Sequence, residues 1–208
     1  MQIIWLGHAA FKILSKEVTV AIAPYDKIGL KMPKFQAEIL LLNSQDDPAY
    51  CSAEAIKGEP FLIDGPGEYE VKDVFVYGVE ARGKKEEKVT LFMLESEEVK
   101  VAHLGGLGVD TLSEEQLEIL NGVDILLVPV GDKDTLDAKQ AVKIISQIEP
   151  RIIIPMCYHV PGLSQKMDKV EDFLKEYGQT NPEKMDKFKI AKKDLPQEET
   201  RVIILNKD

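Results

Sequence analysis

Apolar residues recur along this chain with two different periods, and the change between them divides it. Up to about residue 102 the runs are short and strand-like. Gln2–Leu6, Ala10–Leu14 and Val18–Ile22 are separated by turn-length gaps, the pattern of a meander. Glu38–Leu42 is continuously apolar after its first residue, which predicts a strand covered on both faces. Phe61–Ile63, Val71–Val79, Lys88–Leu94 and Val99–Ala102 extend the β pattern, and Gly65-Pro66-Gly67 and Gly83-Lys84-Lys85 supply turns.

Helical spacing then alternates with buried-strand runs. Ser113-Glu114-Glu115-Gln116 has the form of a capping box, followed by Leu117 and Leu120. Asp124–Val130 and Arg151–Ile154 read as buried strands, the second ended by Pro155. Asp137–Ile148 sets Ala138, Ala141, Val142, Ile145 and Ile148 on one helical face. Ser164–Tyr177 reads as a helix stopped by Gly178, Thr180–Gln197 as a polar surface excursion, and Arg201–Leu205 as a closing strand. A meander followed by alternating helix and strand predicts two sheets with helices outside. No composition break marks a linker, so residues 1–208 read as one domain.

Composition narrows the function classes. The 208 residues are 44% apolar and carry a formal net charge of −10. That charge argues against general binding to nucleic-acid phosphates, which needs clustered Lys and Arg. The basic stretches at 82–85 and 184–193 are interleaved with acids or turn residues and read as solvated surface. Two cysteines, Cys51 and Cys157, are no disulfide framework. Neither a signal sequence nor a membrane-length apolar run is visible, so the expectation is a cytoplasmic protein.

Five segments, in order, carry a resemblance. They are Ile4-Trp5-Leu6-Gly7-His8-Ala9-Ala10-Phe11, Ala23-Pro24-Tyr25-Asp26, Asp64-Gly65-Pro66-Gly67-Glu68-Tyr69-Glu70, Val101-Ala102-His103-Leu104-Gly105-Gly106-Leu107-Gly108 and Ile154-Pro155-Met156-Cys157-Tyr158. Together they resemble the metal-dependent hydrolases of the metallo-β-lactamase superfamily, and the third resembles the G-P-G-E-Y-E motif of one bacterial branch. The resemblance implies an α/β fold, a four-layer αββα sandwich. It also implies a site for two metal ions, usually zinc, which lower the pKa of bound water to about 7 and so supply hydroxide as nucleophile.

The family's H-x-H-x-D-H signature falls on the loop after Ala37-Glu38-Ile39-Leu40-Leu41-Leu42, and there this chain departs from it. Ser44 and Asp46 stand where the first two histidines are implied, and Pro48 and Ala49 where the aspartate and third histidine are implied. Gly106 takes the place of the bridging aspartate, Cys157 that of the last histidine, and only His103 matches a ligand position. Ala23 replaces an acid that often precedes the Pro-Tyr pair. The resemblance therefore implies a vestigial pocket of Ser44, Asp46, His103, Gly106 and Cys157, with no cofactor expected. The alternative is one zinc ion held by Asp46, His103 and Cys157, with Asp47 in place of Asp46 if the loop is shifted. His8 reads either as a general acid or base at the pocket edge or as a histidine held by backbone after a glycine turn. His159 reads as a surface histidine.

Other motifs give less. Gly105-Gly106-Leu107-Gly108 lacks the lysine of a phosphate loop. The stretch 132–137 lacks the glycine and glutamate of a calcium loop and reads as a capped helix entry. No G-x-S-x-G elbow accompanies Ser44. The expected role is a binding or structural protein on a hydrolase scaffold, with an unidentified small molecule or protein as partner and room for self-association. The alternative is a hydrolase with a reduced, single-metal site.

Overall fold

The computed structural model describes residues 1–131 and 134–208. The chain opens with an antiparallel meander, β1 (Gln2–Gly7), β2 (Ala10–Ser15) and β3 (Val18–Ile22). A loop leads to β4 (Phe35–Gln36), and β5 (Ile39–Leu41) then pairs parallel to β3. A one-turn helix, α1 (Pro48–Cys51), precedes β6 (Ile56–Lys57) and β7 (Phe61–Ile63); β7 lies parallel to β5. All three residues of β5 are buried, as its unbroken apolar run requires.

The stretch 67–82 is two strands, where one was expected over Val71–Val79. β8 (Gly67–Val71) and β9 (Val74–Arg82) form a hairpin through Lys72 and Asp73, both with positive φ, as a primed turn demands. β10 (Lys88–Ser96) and β11 (Val99–His103) continue antiparallel through a similar turn at Glu97 and Glu98. The remaining helices and strands alternate: α2 (Glu114–Ile119), β12 (Ile125–Pro129), α3 (Ala138–Ile148), β13 (Ile152–Met156) and α4 (Val170–Tyr177). The capping box over Ser113–Gln116 is present, and Asp137 caps α3 in the same reciprocal way. Asp132 and Lys133, in the calcium-loop-like stretch, lie outside the described residues.

Three boundaries differ from expectation, each for a physical reason. β13 runs through Pro155 to Met156, because its pairing with the last strand involves only Ile152 and Ile153, so no partner there needs the missing N–H. The helix expected from Ser164 starts at Val170, because tertiary partners take the backbone before it: Asp168 N–H donates to Gly131 O at 2.7 Å, and His159 N–H to Asp168 O at 2.9 Å. The polar stretch 180–197 is structural. It supplies β14 (Glu183–Met185), parallel to β16 (Arg201–Leu205), and β15 (Phe188–Lys189), antiparallel to β1.

Two mixed sheets result. One has six strands in the order β15-β1-β2-β3-β5-β7, the other eight in the order β14-β16-β13-β12-β11-β10-β9-β8. A single apolar cluster runs between and around them, including Trp5, Phe11, Ile39, Phe92, Leu127 and Ile154. β12 and β13 are buried along their whole length. α2 packs on β9 and α3 on α4. The outer face of the six-stranded sheet is covered more thinly. There Ala21, Leu40 and Leu42 meet Phe35, Cys51 and Ile56, so the β4–β6 ladder and the one-turn α1 stand on a face where helices were expected.

Candidate functional site

The parallel strands β11 and β13 end on the side where the turn between β1 and β2 folds over, and this places three segments together. His103 is the last residue of β11. It is fully buried, and both ring nitrogens are engaged: Nε2 lies 2.8 Å from Ala9 O, and Nδ1 accepts the Gly105 N–H at 3.2 Å. That pairing fixes a neutral ring with its proton on Nε2. Burial pushes the His103 pKa down to about 4, helped by the neighbouring His8 and opposed by the bond to Ala9. A side chain at Gly105 would sit 2.5 Å from the His103 ring, so glycine is what lets this turn wrap the imidazole.

The neighbouring residue of the same turn holds the third segment. Cys157 follows β13, and its N–H donates to His8 O at 3.1 Å; the same carbonyl accepts Trp5 Nε1–H at 2.9 Å. His8 is buried with its ring edge-on to Tyr50, centroids 4.9 Å apart. His8, Ala23 and Cys157 all carry left-handed φ, at 51°, 46° and 53°. Such backbone is uncommon outside glycine and costs on the order of 1–3 kcal/mol per residue. Tyr25, from the Ala-Pro-Tyr-Asp loop, is buried and donates to Leu6 O at 2.7 Å; burial pushes its phenol up to about 12. His159 is exposed, and Cys157's left-handed turn breaks the alternation that would have put the two side chains on one face.

Beside this packed end lies an open cleft of about 710 Å³. Its walls are the loop after β5, the turn at Asp64-Gly65-Pro66 and the far end of the β9–β10 hairpin. The sheet's own register makes it. Val74, Val76 and Gly78 face inward along β9, and the same phase next brings Glu80, paired across to Thr90. The apolar core therefore ends where the inward phase turns polar. A Cβ at Gly78 would lie 2.8 Å from Gly65 O, so the turn approaches the sheet this closely only over glycine.

The loop over positions 43–51 is organised by its own side chains. Ser44 Oγ accepts the N–H groups of Asp46 and Asp47, each at 3.3 Å, and Asp47 caps α1 by accepting Ala49 N–H at 2.9 Å. Asn43 is buried and joins the two sheets: its backbone carbonyl accepts Thr90 N–H at 2.8 Å and its side-chain Nδ2 donates to Thr90 O at 2.7 Å. Ser44 and Asp46 line the cleft. His103, Cys157 and His8 are not among its lining residues, and Gly106 borders it only through Val89, which a Cβ there would meet at 2.9 Å.

The cleft is acidic. Five carboxylates line it against two lysines. Lys88 is bound to Glu80 at 2.8 Å, which holds Glu80 below the usual carboxylate range, and Lys85 is bound to Asp134 at 2.8 Å. Burial, then Asp47 and Asp46, push the Cys51 thiol up. Sequence reading missed Asn43, Glu80 and Thr90. The signal available was a charged residue on the inward phase of β9.

The family model described as the beta-lactamase superfamily domain matches residues 2–157. A UPF0173 protein of Pyrococcus abyssi is 29% identical over 184 residues, covering 78% of this chain and 85% of its own. A UPF0173 metal-dependent hydrolase of Methanopyrus kandleri is 24% identical over 215 residues, covering 86% and 93%. Among solved structures, a protein of Thermotoga maritima described as a Zn-dependent hydrolase of the metallo-β-lactamase superfamily superimposes with a TM-score of 0.83 at 31% identity, over 98% of this chain and 97% of that one. A metallo hydrolase of Ignicoccus hospitalis has the same fold, at a TM-score of 0.68 and 16% identity, over 91% and 98%.

Proposed function

The chain belongs to the metallo-β-lactamase superfamily, within the UPF0173 metal-dependent hydrolase family, and from that premise we propose that it binds a small ligand in the acidic cleft and does not carry out two-metal hydrolysis. One observation carries this reading. His103, the only residue that matches a ligand position, spends both ring nitrogens on backbone groups. A metal ion bound through either nitrogen would displace one of those bonds inside a fully buried site. The other positions agree. Ser44 Oγ holds its own loop, Pro48 and Ala49 form the first turn of α1, and glycine at position 106 has no donor. The donors present do not fit a two-metal centre, and no step through such a centre is derived for this chain.

A second reading has specific support. Several relatives are named as metal-dependent hydrolases, and Cys157, at an implied ligand position, has left-handed backbone, as do His8 and Ala23 in the segments that carry the resemblance. In that reading one zinc ion is held by Asp46, His103 and Cys157. Carboxylate, imidazole and thiolate suit zinc, which would supply a polarised water there. Metal analysis of protein purified without added metal, with phosphodiester, lactone and β-lactam turnover assayed in zinc and in manganese, separates the two. The binding reading expects no stoichiometric metal and no turnover. One equivalent of metal, lost in both His103→Ala and Cys157→Ala together with activity, would establish the single-metal hydrolase.

A further inference from the structure

We propose that this chain docks head to tail on copies of itself, the outer face of the eight-stranded sheet in one copy seating on the outer face of the six-stranded sheet in the next. Both surfaces lie away from the cleft, so the proposal is independent of what the cleft binds.

Strand register defines the first surface. Side chains paired directly across strands share a face. On the outer side of the eight-stranded sheet one row runs Glu70, Phe75, Glu95, Lys100, and the row beside it Glu68, Tyr77, Met93, Ala102. α2 packs on β9 but has only six residues, and it leaves Phe75 39% exposed. A hollow of about 250 Å³ opens beside α2 over Tyr77 and Met93, with Glu68, Glu95 and Glu118 around it and Lys100 at one side. Those three glutamates, and Glu70, make no ion pair among the described residues.

The second surface has the opposite charge. On the outer side of the six-stranded sheet the paired row is Ile4, Lys12, Ala21, Leu40 and Leu62, and Leu62 at its end is 50% exposed. Phe35 packs over Ala21 and Leu40, and Lys12 Nζ lies 4.8 Å from the centre of its ring. Phe35 belongs to the stretch 27–36, which holds three lysines and no acid. Lys31, Met32, Pro33 and Lys34 line a hollow of about 570 Å³, where Asp208 is the one acid. Lys12, Lys31 and Lys34 make no ion pair among the described residues.

Charge selects the occupant. Like charge opposes pairing of either face with its own kind, whereas the two faces are opposite in sign. Each also offers apolar surface: Phe75 and Leu62 are two of the three large apolar side chains that stand exposed among the described residues. The faces lie on opposite sides of the sandwich and cannot meet within one chain. Contact between copies therefore leaves one unused face at each end. With so few exposed apolar groups the interface belongs to the small, transient class, below ~1,200 Å² in total.

Sedimentation velocity on the intact protein tests this. The average mass should rise between micromolar and millimolar concentration, and the rise should shrink as sodium chloride is added. Glu70→Gln with Phe75→Ser disables one face, and Lys31→Glu with Lys34→Glu the other; all four positions are exposed, so both double variants should fold as the parent does. Each alone should stay monomeric. An equimolar mixture should form one-to-one pairs and nothing larger, because each variant supplies the face that the other lacks. A parent protein that stays monomeric throughout would overturn the proposal and leave the two faces to partners of other chemistry. Self-association that persists in either variant alone would overturn it in favour of like-face pairing. A mixture that remains monomeric would overturn it as well.

Discussion

Two regions at the same end of this molecule have opposite character. Around His103, His8 and Cys157 the polar groups are buried, and the bonds that join the three segments run to backbone. A few residues away, the Asp46 and Asp64 carboxylates face solvent, with no hydrogen bond or ion pair among the described residues. The family resemblance assigns ligand positions to both regions, yet the chain has treated them differently. His103 and Cys157, at strand ends, are part of the packing. On the loop after β5, Asp46 is charged and exposed. In the binding reading proposed above, a site inherited with a fold gives up two-metal chemistry by being filled in one part while remaining open in another.

The contrast is sharpest in stability. His103→Ala removes a buried ring and strands Ala9 O and Gly105 N–H, so a loss of about 3–5 kcal/mol is expected in urea unfolding. An effect within experimental error would mean that the ring is not held as described. Acid should act through the same residue. With a folded value near 4 against 6.5 unfolded, the unfolded state takes the proton first as pH falls. Stability from this source is whole above pH 6.5, declines between 6.5 and 4, and is reduced by about 3 kcal/mol below that. The His103→Gln variant should lose that slope, measured as the difference from the parent protein between pH 7 and pH 4. Asn43→Ala removes the side-chain bond between the sheets and should cost about 1–2 kcal/mol. At the open side, Asp46→Asn should change stability by no more than about 0.5 kcal/mol. A larger loss there would erase the distinction between the two regions.

Much of this architecture was legible from local pattern. The apolar runs that follow Glu38, Asp124 and Arg151 are buried strands because no side of them tolerates water. The caps at Ser113 and Asp137 announce helices that form. Legibility failed where distant partners decide. Nothing local to 164–169 says that Gly131 and His159 will claim Asp168's backbone, and nothing in the polarity of 180–197 says that it will edge both sheets. The site divided in the same way. The resemblance pointed to Ser44, Asp46, His103 and Cys157 as candidates, but it could not say which of them face solvent. That depends on how the turn at His8 and Ala9 closes over the strand ends. Glu80 and Asn43 went unnoticed because their importance comes from the sheet-to-sheet approach at Gly78 and Thr90.

The segment that carries β14 and β15 has a consequence for life in concentrated solution. By placing one strand on each sheet, it ends both on that flank in strands of only three and two residues. The opposite flank ends in β7, of three residues, and β8, of five, whose Glu68 and Glu70 are exposed. Open edges invite other chains to add strands, and brevity and outward charge are the usual deterrents. All four edges of the main sheets carry one or the other. A deletion across 183–189 would expose the longer flanks of β16 and β1, and light scattering on heating should reveal aggregation that the parent protein resists.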